Sequence, residues 1–111
     1  MQAVDGAAVE RALSSQPDPG HVKRMVGIFS AFSDPTRLRI LLALSSGPLC
    51  VCDLAAVTGV SASAVSHQLR LLRDRDLVTY ERAGRRAVYR LSDAHIATLL
   101  DQGSEHAGER P

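Results

Sequence analysis

Between residues 53 and 91 the apolar pattern of the chain changes period: twice it runs at helical spacing, and then it alternates like a strand. Residues 53–58 read as a short helix closed by Gly59. Ser61 stands where it can cap a second helix, running to about Arg75, in which Val65, Leu69 and Leu72 share one face. The next stretches, 77–82 and 86–91, are rich in Val, Tyr and Thr and flank Ala83-Gly84-Arg85, the pattern of a β-hairpin. Two short helices about a tight glycine turn form a helix-turn-helix, and a hairpin directly behind it supplies a wing.

The rest of the chain agrees with that unit. Residues 4–13 suit a short helix, and 14–20, with two Pro, two Ser and one Gly, suit a flexible joint. Val22, Met25, Val26, Phe29 and Phe32 mark an amphipathic helix over 21–32. Asp34-Pro35 is an N-cap followed by proline at the first helical position, opening a helix through Leu38, Leu41, Leu42 and Leu44 that stops at Gly47-Pro48. A last helix opens at Ser92 or Asp93 and carries Ile96, Leu99 and Leu100; Gly103 and Gly108 weaken its far end. A hydrophobic share of 45% excludes wholesale disorder. The 4% aromatic content leaves the core to Leu, Val, Ile and Ala, a set that favours helix.

The fold class is therefore mainly α with a small β-hairpin, a winged helix-turn-helix. Its expected organisation is a flexible N-terminal segment (1–20), a DNA-binding and dimerisation unit (21–102, wing about 77–91) and a flexible tail (103–111) carrying candidate ligands. No apolar run approaches the roughly 20 residues of a membrane span and no signal-peptide pattern opens the chain, so a soluble cytoplasmic protein is expected, without a membrane partner.

The formal net charge is only +1, yet residues 61–90 hold seven Arg against Asp74, Asp76 and Glu81, while the first twenty residues hold Asp5, Glu10 and Asp18 against Arg11. Cationic charge is concentrated where the helix-turn-helix and wing lie, as a surface meeting phosphate requires. Opposite Val65, Leu69 and Leu72 stand Ser63, Ser66, His67 and Arg70, with Gln68 on the flank and Ser61 at the start. Hydroxyl, amide, imidazole and guanidinium groups reach base edges and phosphates in a major groove. The helix also lacks the Glu–Lys i,i+4 pairs of an ordinary solvated face. Arg85 and Arg86 at the hairpin tip are candidate backbone or minor-groove contacts.

Four segments carry a family resemblance: Phe32-Ser-Asp-Pro-Thr-Arg-Leu-Arg-Ile40, Leu49-Cys-Val-Cys-Asp-Leu54, Ser63-Ala-Val-Ser-His-Gln-Leu-Arg-Leu-Leu72 and Arg82-Ala-Gly-Arg-Arg-Ala-Val-Tyr-Arg90. Over about residues 21–109 the chain resembles the ArsR/SmtB family of bacterial metal-responsive repressors. The resemblance implies a homodimer that binds a palindromic double-stranded operator and releases it when a transition-metal ion binds, derepressing metal efflux or sequestration genes.

It also implies an interfacial metal site at Asp93, His95, His106 and Glu109. His95 and His106 are eleven residues apart, close to three turns, so they share a stripe, and His106 and Glu109 are i,i+3 neighbours. Along the axis the two histidines are nonetheless about 16 Å apart at 1.5 Å per residue. No ion with bonds near 2 Å takes both from one chain. Two such helices antiparallel across a dimer would form two symmetric N2O2 sites, suited to Zn(II), with Ni(II) or Co(II) as alternatives and Cd(II) or As(III) ranked behind. Without the resemblance, the same four residues read as a solvated face.

Cys50-Val-Cys52 is a second candidate, either a soft-metal or redox pair, with thiolates favoured by a helix N-terminus, or two small buried thiols. In similar arsenite sensors a third Cys follows three residues on; here Ala55 holds that position. Cadmium sensors add N-terminal cysteines, which this chain lacks. His21, Asp5 or Asp18 from a partner chain could complete a site.

An enzyme is not expected. Ser66 and His67 are adjacent and diverge by about 100° on a helix, so they form no nucleophile–base pair, and no glycine-rich phosphate loop is present. Three other readings stay open: a thiol redox switch at Cys50 and Cys52, a regulator whose function metal promotes, and one acting beside a partner protein.

Overall fold

The computed structural model describes residues 4–109. In chain order the elements are α1 (Gly6–Ser15), α2 (Pro19–Phe32), α3 (Pro35–Ser45), β1 (Leu49–Cys50), α4 (Val51–Thr58), α5 (Ala62–Asp74), β2 (Val78–Ala83), β3 (Arg86–Leu91) and α6 (Ala94–Gly108). The order is that of a winged helix-turn-helix, with α4 and α5 as the helix pair and β2–β3 as the wing.

Local chemistry sets the boundaries. The carboxylates of Asp5, Asp18, Asp34 and Asp93 and the hydroxyl of Ser61 each accept a backbone N–H in the first turn of the helix that follows. Gly59, at φ 74°, ends α4 and donates its N–H to the Ala55 carbonyl. The recognition helix α5 ends in a Schellman motif: Leu77 N–H reaches the Leu72 carbonyl and Asp76 N–H the Arg73 carbonyl, both at 3.0 Å. Asp76 takes the left-handed position at φ 58°, which a short polar side chain tolerates. The Leu72 and Leu77 side chains are both buried, completing the hydrophobic contact of that motif.

Three features differ from the sequence reading. The expected hairpin is a three-stranded antiparallel sheet in the order β1-β3-β2, because Leu49 and Cys50 pair with Tyr89 and Val88. Two residues are too few to show a strand period. Helices α2 and α4 each begin two residues before their expected starts, α2 because Asp18 accepts the His21 N–H as N-cap and Pro19 takes the first helical position. Last, α6 runs helically through Gly103 to Gly108, within the segment 103–111 expected as a flexible tail, of which 110 and 111 lie outside the described residues. Each interior glycine costs about 1 kcal/mol relative to alanine. Here the double cap from Asp93 and the burial of Ile96 and Leu100 carry the helix past Gly103, and it ends at Gly108.

One core joins the elements. Ile40 and Leu41 from α3, Leu54 from α4, Val65, Leu69 and Leu72 from α5, and Leu77 and Val78 entering β2 are fully buried. Each contributes roughly 1.5–3 kcal/mol of transfer free energy. Ile96 and Leu100 dock α6 onto the same cluster. Helix α1, in contrast, buries none of its residues. The radius of gyration is 17.9 Å, against about 13 Å for a compact chain of this length.

Candidate nucleic-acid interface and metal ligands

Burial of Val65, Leu69 and Leu72 fixes the rotation of α5 and turns Ser63, Ser66, His67 and Arg70 to solvent. Ser66, His67 and Arg70 make no side-chain hydrogen bond or ion pair among the described residues, so their donors and acceptors face outward unspent. Ser61 is partly committed: its Oγ accepts the Ala64 N–H at 3.1 Å and lies 3.3 Å from the Ser63 hydroxyl. Gln68 stands apart. It is half-buried, and its Oε1 accepts from Arg37 Nη1 at 3.4 Å on the side of α5 that faces α2 and α3.

The wing is held by six residue pairs from Val78↔Leu91 to Ala83↔Arg86. Gly84, at φ 64°, takes the first central position of its two-residue turn, where a type II′ hairpin turn needs glycine. Arg85 and Arg86 are thereby exposed at the tip. At the base, Tyr80 and Tyr89 pack with ring centroids 5.2 Å apart, and the Arg73 guanidinium lies 5.1 Å from the Tyr80 centroid, tying the wing to the recognition helix.

Cys50 is buried and donates from Sγ to Asp53 Oδ2 at 3.2 Å, while Cys52 is exposed; both are free thiols. They line a cleft of about 340 Å³ with Asp53 and three wing arginines, Arg82, Arg85 and Arg86. The sequence reading passed over Arg82, whose only signal was its place in strand register beside the tip. His21 is exposed on the first turn of α2 and does not line this cleft.

Helix α6 carries a histidine–carboxylate pair at each end. His95 Nδ1 lies 3.5 Å from Asp93 Oδ1, and His106 Nδ1 lies 3.6 Å from Glu109 Oε2, with both imidazoles almost fully exposed. Two ligands of a tetrahedral ion with bonds of about 2.0–2.1 Å lie about 3.3 Å apart. Each pair is therefore close to the edge length of such a site, and imidazole with carboxylate is a donor set that Zn(II) accepts. Asp93 Oδ1 also accepts the His95 and Ile96 N–H groups, so the same oxygen is both the helix cap and the candidate ligand. Among the described residues of the single chain no three His, Cys, Asp or Glu side chains converge on one ion.

A recognition helix with its polar stripe outward, set beside a hairpin tipped with arginine, defines a transcription regulator of the winged helix-turn-helix class. The chain belongs to the arsR family of bacterial regulatory proteins, whose model matches residues 34–80. It is 51% identical over 87 residues to a transcriptional repressor SmtB homolog of Synechocystis, covering 78% of this chain and 66% of that one. It is 46% identical over 94 residues to the transcriptional regulator NmtR of Mycobacterium tuberculosis, covering 85% and 78%. The solution structure of a homodimeric winged helix-turn-helix DNA-binding domain, Mb0332 from Mycobacterium bovis, superposes with a TM-score of 0.78 at 28% identity over 86% of this chain and 90% of that one. No helix among the described residues is long and apolar enough to cross a membrane.

Proposed function

We propose that this protein is a zinc-responsive transcriptional repressor, a homodimer that binds a palindromic operator and releases it when Zn(II) bridges the two α6 helices. The observation that carries this reading is the pair of half-sites on α6, each near tetrahedral edge length and each with only two ligands. A half-site becomes complete only against a second copy. Asp93 and His95 of one chain meet His106 and Glu109 of an antiparallel α6, and the ion supplies a four-coordinate bridge between them.

Apolar exposure supports the dimer. Val9 and Leu13 on α1 and Val22, Met25, Val26 and Phe29 on α2 all face solvent in the single chain. A surface of this kind marks an interaction site. The homodimeric domain of M. bovis has the same architecture. In the dimer, Ser63, Ser66, His67 and Arg70 enter successive major grooves while Arg85 and Arg86 hold phosphate or minor groove. Holding α6 against its twin fixes one spacing of the recognition helices; release requires that this spacing differ from the one the operator takes.

Operator affinity measured by fluorescence anisotropy, on a duplex selected from a randomised library, tests the reading. Zinc should weaken native binding by roughly 5- to 150-fold. The His95→Ala/His106→Ala protein should bind DNA but ignore zinc, and Cys50→Ser/Cys52→Ser should respond as the native protein does. Equal zinc release from the histidine variant would refute the α6 site. Loss of the response in the cysteine variant would move the switch to the thiols.

A further inference from the structure

Arg75, the residue that caps the C-terminus of recognition helix α5, reaches 48 residues back along the sequence and donates from Nη1 to the Gly27 carbonyl of α2 at 2.6 Å. Gly27 lies inside α2, where glycine is the costliest residue apart from proline. The space around it explains the choice: a Cβ there would lie 3.1 Å from Arg75 Nη1. With a side chain at this position the guanidinium would have to give by a few tenths of an ångström to keep the contact. One turn further along α2, Arg37 donates from Nε to the Ala31 carbonyl at 3.1 Å and from Nη2 to the Ser30 carbonyl at 3.3 Å while it holds Gln68 of α5. Two arginines thus fasten the recognition helix to the helix whose opposite face is exposed and apolar.

The Arg75 fastening has a second neighbour. Arg24, Gly27 and Arg75 line one cleft of about 580 Å³ together with Asp74, Asp76, Asp93 and His95. The zinc half-site at the start of α6 and the hold on α2 therefore face the same space. As it stands, the cleft sets Arg24 and Arg75 against three carboxylates. A dication held by Asp93 and His95, with the second carboxylate supplied across the dimer, would neutralise Asp93 and leave the cleft with one carboxylate fewer to attract Arg24 and Arg75.

We propose that the Arg75–Gly27 contact is the latch that holds α5 in its operator-binding pose, and that neutralisation of Asp93 by an ion at the Asp93–His95 pair loosens it. Arg75 is thus a positioning residue, acting through the placement of Ser63, Ser66, His67 and Arg70. The inference rests on the zinc-responsive reading for its second half only; the hold on α5 concerns the metal-free protein.

Two variants test it. Arg75→Gln removes the cation, and Gly27→Ala crowds the guanidinium with a Cβ 3.1 Å from Nη1 while favouring the helix, so α2 is retained. In the metal-free protein Arg75→Gln should weaken binding to the selected duplex about 10-fold, within the range of such couplings, and Gly27→Ala should weaken it in the same direction by less. The double variant should be no weaker than Arg75→Gln alone, since both act on the same contact. Zinc titrated by calorimetry should bind both variants as it binds the native chain, yet its further effect on DNA should shrink. Amide hydrogen exchange without DNA or zinc should rise at the C-terminal end of α5 in both. Arg75→Lys should restore part of the affinity.

Native DNA affinity and native exchange in Arg75→Gln and Gly27→Ala would overturn the latch. A native protein that binds the duplex but ignores zinc would refute the zinc reading, and the metal-free comparison would still decide the hold on α5. An additive double variant would show that the two residues act separately, and would overturn it as well.

Discussion

Gln68 is turned away from the exposed face of its own helix, with Oε1 against Arg37 Nη1 at 3.4 Å. The residue one position earlier, His67, points to solvent. One step along the helix, about 100°, separates a side chain that can meet DNA from one that braces the helix carrying it. Gln68→Ala should therefore destabilise the protein by about 1 kcal/mol in urea denaturation. Its DNA affinity should fall by a similar factor for every single-base variant of the half-site. A preference altered at one base pair only would show that the amide reads sequence.

The wing makes a different prediction. Arg85 and Arg86 project from a turn with no acid paired to them among the described residues. Phosphate contacts carry no sequence information, so Arg85→Ala and Arg86→Ala should weaken binding to matched and unmatched duplexes alike. Each should also make the plot of log affinity against log salt shallower by about 1. An unchanged slope would remove that arginine from the interface.

Sharing of ligands between chains is open to a mixing experiment. His95→Ala and His106→Ala homodimers should each lose tight zinc binding, because each substitution damages both sites. In a heterodimer of the two variants one site loses both histidines, while the other recovers His95 from one chain and His106 from its partner. Equilibrium dialysis of co-refolded protein should therefore show one tight zinc per heterodimer. No recovery would rule out the crossed pairing.

Phe29 is half-exposed on α2 and stacks edge-on with Phe32, ring centroids 6.4 Å apart. It belongs to the apolar face that the single chain leaves uncovered. Phe29→Glu should leave the monomer fold intact by circular dichroism and shift sedimentation from dimer to monomer. DNA affinity should fall with it, since one recognition helix then engages one half-site. A dimer that survives this substitution would place the interface elsewhere.

The elements that rest on local chemistry were legible in the chain. The cap residues Asp34 and Ser61, the stop at Gly59 and the stripe of Val65, Leu69 and Leu72 act over three or four residues, and the structure repeats them. The wing was legible for the same reason, since a glycine turn between β-branched stretches states its own register. On α6 the His106–Glu109 pair was readable from i,i+3 helical spacing, whereas Asp93, the N-cap outside the helix, joined His95 in the reading only through the family resemblance.

What the sequence could not show is whatever depends on a second element arriving from far along the chain. Strand β1 exists only because β3 offers it a partner. In the sequence Arg75 counts only as one more cation of the basic segment 61–90, and Arg37 lies outside that segment. Their roles appear only when α2 lies beside α5 and brings the Gly27, Ser30 and Ala31 carbonyls within reach. Local propensity and periodicity are properties of neighbours in sequence. The hydrogen-bonding partners of a side chain are set by packing, which only the folded chain decides.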